Sequence, residues 1–165
     1  MYQTIQSFIA DYTYETKSTQ KLLDTLTDES LNQEIASGYR DLGFIAWHLV
    51  TSTAMASATG LKFETSVGQE EPPASAAIIA DTYRATTQSL LQAASEQLKD
   101  ESLQQSVTLF GKPFTIGSLL STFVKHEIHH RGQLTILMRQ AGLPLAGMYG
   151  PSKEEWAATG MDAPQ

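Results

Sequence analysis

His126, Glu127, His129 and His130 fall within one five-residue stretch, HEIHH. The stretch fits H-E-x-x-H, a helical pattern in which two histidines one turn apart hold zinc and the glutamate serves as general base. Side chains four residues apart on a helix have Cβ atoms about 5–6 Å apart. From there two imidazoles reach a shared ion at metal–nitrogen distances near 2.0–2.1 Å. The remaining histidine, His48, lies far upstream in GFIAWHLV. The chain has no cysteine. Disulfides, thiolate ligands and a cysteine nucleophile are therefore excluded together, and any sulfur chemistry must draw its thiol from a second molecule.

A helical wheel advancing about 100° per residue sets His126 at zero, with His130 near 40°, Gln133 near −20°, Glu127 near 100° and Arg131 near 140°. Leu119, Phe123, Leu134 and Leu137 lie between roughly 20° and 80°, so His126 and His130 border the stripe that faces the protein interior. His129, about −60° away, is less well aimed and reads as a neighbouring contact. His48 shares a face with Phe44, Ser52 and Met55, as a core histidine would, and becomes the natural third ligand because His126 and His130 are available. Three neutral histidines leave coordination positions open, as catalytic metal sites do. Imidazole donors suit zinc, nickel, iron or cobalt. The competing reading is a set of core histidines, each of which must then find hydrogen-bond partners in the interior.

The elements that must position these residues follow from apolar periodicity. Ile5, Phe8, Ile9, Tyr12, Thr19, Leu22, Leu23 and Leu26 predict a helix over about 2–27, followed by a polar connection. A second helix is expected from Asp41, an N-cap, to Gly60, a stop. The segment LKFETSVGQEEPP reads as a loop, and a third helix is expected over about 75–99. Two β-prone runs around Gly111-Lys112 admit a short hairpin or extended turn. The fourth helix is expected from Thr115 or Ile116 to Gly142, with Gly132 allowing close packing. The tail LPLAGMYGPSKEEW reads as an ordered strap with a short helix at 152–158. The fold class is thus all-α, a four-helix bundle, in a single domain over 1–165.

The chain has 165 residues, is 41% apolar and 18% charged, and carries a formal charge of −7. That acidic balance disfavours nucleic acid. No apolar run approaches the ~20 residues of a membrane span, and the first residues do not have the pattern of a secretory leader. A cytoplasmic location is the expectation.

Three architectures can use HEIHH. In a zincin the third ligand lies downstream, where Glu154 or Glu155 is available; the extended metzincin form fails because Gln133 and Ile136 stand where Gly and His are required. A ferritin-like di-iron site needs a second Glu-x-x-His, and no other glutamate has a histidine three residues on. The third architecture is a bundle with a mononuclear site built from His48, His126 and His130.

For that third reading, LGFIAWHLV, FTIGSLLSTFVKHEIHHRGQLTILMRQAGL and MYGPSKEEW carry a resemblance over nearly the whole chain. The sequence resembles the DinB/YfiT-like superfamily of metal-binding four-helix bundles, which is unrelated to the DNA polymerase of similar name. The resemblance implies a divalent metal, commonly zinc or nickel, on His48, His126 and His130, and a homodimer. It also implies a thiol-dependent transferase that joins a low-molecular-weight thiol to a small electrophilic substrate. The alternative is a non-catalytic, stress-related metal-binding bundle. Gln133 and Arg131 are candidates for cofactor contact: Gln133 to touch a ligand or orient a histidine, Arg131 to bind an anionic cofactor, pair near Glu127 or lie at a dimer surface. Glu127 is a candidate base or hydrogen-bond acceptor.

Overall fold

The first helix, α1 (Ile5–Leu23), begins where Thr4 accepts a hydrogen bond from the Ser7 backbone N–H at 3.1 Å. It is shorter than the periodicity predicts. Beyond Asp24, Thr27 and Ser30 exchange side-chain and backbone hydrogen bonds, a local alternative that competes with helix. The computed structural model describes residues 1–66 and 71–162, so part of the expected loop over 61–73 and the last three residues lie outside the described residues.

Helix α2 (Leu42–Thr51) starts at Asp41, whose carboxylate accepts from Phe44 N–H at 2.7 Å. The α-helix expected as far as Gly60 does not persist. From Ser52 to Thr59 the chain tightens into a 3-10 helix, and Gly60 ends it. The hydroxyls of Ser52, Thr53 and Thr59 each donate to the carbonyl three residues back, at 3.3, 2.7 and 2.6 Å. Such back-bonding gathers carbonyls in the i−3 register, where a 3-10 helix forms. Helix α3 (Ala76–Gln97) is capped from a distance, as Ala76 N–H donates to Asp28 at 2.7 Å.

Strands β1 (Ser106–Leu109) and β2 (Lys112–Thr115) pair antiparallel, Leu109 opposite Lys112. Phe110 and Gly111 both take positive φ, 49° and 73°, the two-residue turn whose twist suits a hairpin. Thr115 then caps α4 (Ile116–Gln140) in a reciprocal capping box with Ser118. At its far end, Leu143 N–H bonds Met138 O and Gly142 N–H bonds Arg139 O, a Schellman closure. The strap ends in α5 (Lys153–Ala158). Arg139 pairs with Glu154, and Glu155 accepts from Gly147 and Ser152 N–H. Among the described residues, no helix is long and apolar enough to cross a membrane.

The buried apolar residues form two clusters. One gathers Leu22, Leu42, Trp47, Ile79, Leu134 and Leu137; the other gathers Phe8, Tyr12, Leu90, Leu103, Leu120 and Phe123. Along α4, His126 to Arg131 fall between Val124 and Leu134, so the polar residues of HEIHHR form a layer between two apolar ends.

Two glycines of α4 behave oppositely. A Cβ on Gly117 would lie 2.6 Å from Tyr2 O, whereas one on Gly132 meets nothing within 4 Å, so Gly132 is not the close-packing contact expected for it. Gly132→Ala is expected to raise stability by about 1 kcal/mol through helix propensity. Gly117→Ala should lower it by ~1–3 kcal/mol through overpacking. Urea melts of both variants check the opposed signs.

Candidate metal centre

Helices α2 and α4 bring His48, His126 and His130 together, with one donor nitrogen from each within 4.8 Å of the others. The ring centroids stand 5.2 Å (His48–His126), 4.4 Å (His48–His130) and 4.4 Å (His126–His130) apart. His126 Nε2 and His130 Nε2 approach to 3.1 Å. Two nitrogens on one tetrahedral ion with ~2.0–2.1 Å bonds stand about 3.3 Å apart, so the pair is spaced for shared coordination. Among the described residues, no carboxylate joins the cluster. Glu154 and Glu155 are engaged in holding the strap.

The second nitrogens of the α4 pair differ. His130 Nδ1 lies 2.7 Å from Gln133 Oε1. An amide oxygen only accepts, so Nδ1 carries the hydrogen and the Nε2 lone pair faces the cluster. Gln133 thus meets a histidine through its amide oxygen. His126 Nδ1 is buried without a hydrogen-bond partner among the described residues. A histidine retained only for core hydrogen bonds does not leave a buried ring nitrogen idle. His129 is exposed and touches His130 edge-on at 4.9 Å, outside the donor set.

All three imidazoles favour the neutral, ligating form. Burial, then the charges of His130, His126 and Arg40, pushes His48 down to about 4. Burial, followed by His130 and His129, lowers His126. Burial also lowers His130, against the Gln133 hydrogen bond, which raises it.

Residues 127 and 131 turn the other way. Glu127 Oε1 accepts from Thr19 at 2.7 Å and Tyr83 at 2.5 Å. Burial raises its pKa against those bonds and raises the hydroxyls of Tyr83 and Tyr12 well above their ordinary value. Tyr12 Oη and Glu127 Oε2 are both buried outside good hydrogen-bond geometry, while the charge of Glu127 is felt at Tyr12. Arg131 donates to Glu15 Oε2 at 2.5 Å, Glu15 O at 3.0 Å and Tyr149 Oη at 2.8 Å. Its side chain is 2% exposed. The anion beside Arg131 is therefore Glu15 of the chain itself. The pairing of Glu15, Thr19 and Tyr83 with α4 is not legible in the sequence, because a one-helix wheel shows which face is buried but not what faces it.

One cleft is lined by two of the three histidines, and a second adjoins the cluster through Gln133, which hydrogen-bonds His130. The first, of about 410 Å³, is lined by His48, His126, Met55, Leu109 and Phe110 at the hairpin tip. The other, of about 180 Å³, includes Tyr39, Arg40, Ile45 and Gln133. Arg40 was also missed, although Arg40, Phe44 and His48 repeat at four-residue steps. The guanidinium lies 4.7 Å from the Phe44 ring centre, and Phe44 stacks on His48 at 6.1 Å.

Known proteins share this arrangement of helices. A crystal structure of a DinB-like protein from Bacillus cereus superposes with a TM-score of 0.87 and 49% identity, covering 90% of this chain and all of the other. A DinB-like protein from Bacillus subtilis, YjoA, shares the fold at TM-score 0.67 and 22% identity, over 87% of this chain and 99% of that one. The uncharacterized protein YrdA of Bacillus subtilis is 45% identical over 166 aligned positions, all of this chain and 99% of the relative. The DinB family profile matches residues 1–163. With helix order, fold and nearly the whole sequence in agreement, the chain belongs to the DinB family.

Proposed function

We propose that His48, His126 and His130 hold one divalent metal ion, zinc or nickel foremost, and that the site serves transfer of a thiol to a small electrophile. The observation that supports this is the convergence of three imidazoles, and no carboxylate, beside a cleft. A bound cation there stabilises a thiolate and so lowers the pKa of an incoming thiol. The chain's own residues do the rest. Gln133 keeps the His130 hydrogen on Nδ1, and Phe44 stacks on His48. Met55, Leu109 and Phe110 line an apolar cleft suited to an uncharged electrophile.

In the transfer, the thiol proton passes to solvent and the sulfur lone pair forms the new S–C bond. The bond from that carbon to its leaving group breaks, and the leaving group takes the electron pair. With no cysteine in the chain, the sulfur belongs to a low-molecular-weight cosubstrate.

The test assays metal-loaded and metal-stripped protein with several thiols and an aryl chloride. The expected result is a rate that depends on both thiol and metal and is lost in His48→Ala. No rate above the stripped control with any thiol would leave a metal-binding bundle without catalysis.

A further inference from the structure

The chain has four arginines, and three are held by carboxylates. Arg84 pairs with Asp24 and Asp81, Arg131 with Glu15, and Arg139 with Glu154. Arg40 is the exception: among the described residues it pairs with no carboxylate. Its position is specific, because its guanidinium lies over the Phe44 ring that stacks on His48. Its charge is felt at both His48 and His130. In a chain of net charge −7, this is a local reversal of sign beside the candidate metal centre.

A second donor group shares the cleft. Gln133 turns Oε1 to His130, so its Nε2 amide points elsewhere and meets no acceptor among the described residues. Arg40 and Gln133 line the same small cleft, whose other walls are Ile35, Tyr39, Ile45 and Leu137. The cleft, about 180 Å³, is below the ~300–1,000 Å³ of pockets for drug-sized ligands. It has room for one small group with an apolar stem.

We propose that Arg40 and the Gln133 amide form a carboxylate-recognition subsite, which takes the anionic end of a small ligand whose other end reaches the three histidines. This rests on the thiol reading above for what occupies the histidine end. The planar guanidinium matches a carboxylate in two parallel hydrogen bonds, and the amide adds a neutral donor. One cation without a neighbouring lysine in the cleft suits a single negative charge better than a phosphate dianion. The preferred cosubstrate is then a thiol bearing a carboxylate a few bonds from sulfur.

Two measurements separate this subsite from the transferase reading. Cobalt-loaded protein is titrated with 3-mercaptopropionate and 2-mercaptoethanol, following the thiolate-to-cobalt absorption band. Hydrogen bonds to charged groups are worth ~1.5–3 kcal/mol, so the carboxylated thiol is expected to bind roughly tenfold to a hundredfold more tightly. The preference should fall to about one in Arg40→Gln. In parallel, propionate and 1-propanol are titrated into wild-type and Arg40→Gln protein, following the Gln133 side-chain amide by NMR. Propionate alone should shift it, and only in wild type.

If neither thiol produces an absorption band while propionate still shifts Gln133 through Arg40, the thiol reading fails and the subsite stands. If thiols bind without regard to the carboxylate, or the preference survives Arg40→Gln, the subsite is overturned and the thiol reading stands. An amide that does not respond to propionate also overturns the subsite.

Discussion

His130→Ala is expected to keep its helical content and lose its metal, falling from about one equivalent per chain to near zero after purification. His130 has the two contacts that matter most in the cluster: Nε2 lies 3.1 Å from His126 Nε2, and Nδ1 lies 2.7 Å from Gln133. Its removal deletes one of three donors and the hydrogen bond that orients it. The loss should exceed the ~10–100-fold typical of removing a hydrogen-bonding partner behind a ligand. Elemental analysis of wild type, His130→Ala, Glu154→Ala and Glu155→Ala decides the matter. The two glutamate variants should retain metal, since both carboxylates are committed to the strap. Metal lost with a glutamate and kept without His130 would restore the zincin reading.

Acid gives the same site a second signature. The three histidines have folded pKa values below their ordinary 6.5, His48 at about 4. Between those limits the unfolded chain binds more protons than the folded one. Their contribution to stability is therefore present above pH 6.5 and is lost as pH falls from 6.5 toward about 4. Metal release on acidification should begin below the ordinary histidine pKa, because the folded site resists protonation even before metal competes. Metal content measured from pH 8 to 4 tests this; no loss across the range would exclude histidine ligands.

The second large effect concerns the buried ion pair. Arg131→Met leaves the Glu15 carboxylate without its cation, in a pair whose side chains are 2% and 4% exposed. Removing one partner of a buried pair costs ~3–5 kcal/mol. For a domain of this size 1 kcal/mol is worth about 2–4 °C, so the melting temperature should drop by roughly 6–20 °C. Adding Glu15→Leu should recover most of the loss, since a well-packed apolar pair replaces a buried ion pair at little cost. Thermal melts of the two single variants and the double variant test both parts. A shift under about 2 °C in Arg131→Met would mean the pair is far wetter than the structure shows.

What was legible in the sequence was local. Asp41 and Thr115 cap helices because a side-chain oxygen bonds an amide a few residues on. Gly111 turns a hairpin because the turn needs positive φ. The i, i+4 spacing of His126 and His130 holds in any helix. What required the fold was contact between distant segments. Glu15 and Tyr83 lie on other helices, and nothing in HEIHHR indicates which carboxylate or hydroxyl its second face will meet. The 3-10 half of the second helix escaped for a subtler reason. Its apolar pattern suits an α-helix, and the departure comes from hydroxyls bonding three residues back. Arg40 lies before the Asp41 cap, outside the helix, so only its four-residue spacing from Phe44 and His48 points to it.

HEIHHR contains two pairs at the same spacing, offset by a single residue. His126 and His130 look toward α2, while Glu127 and Arg131 look toward α1 and α3. The second pair works as a key for the angular setting of α4: turning the helix about its axis would drag a glutamate and an arginine out of their sockets. The aim of the three imidazoles is thus set by residues outside their cluster. It follows that positions 126 and 130 can be rewritten for other donor atoms, and the new side chains will point to the same place, provided 127 and 131 are left as they are.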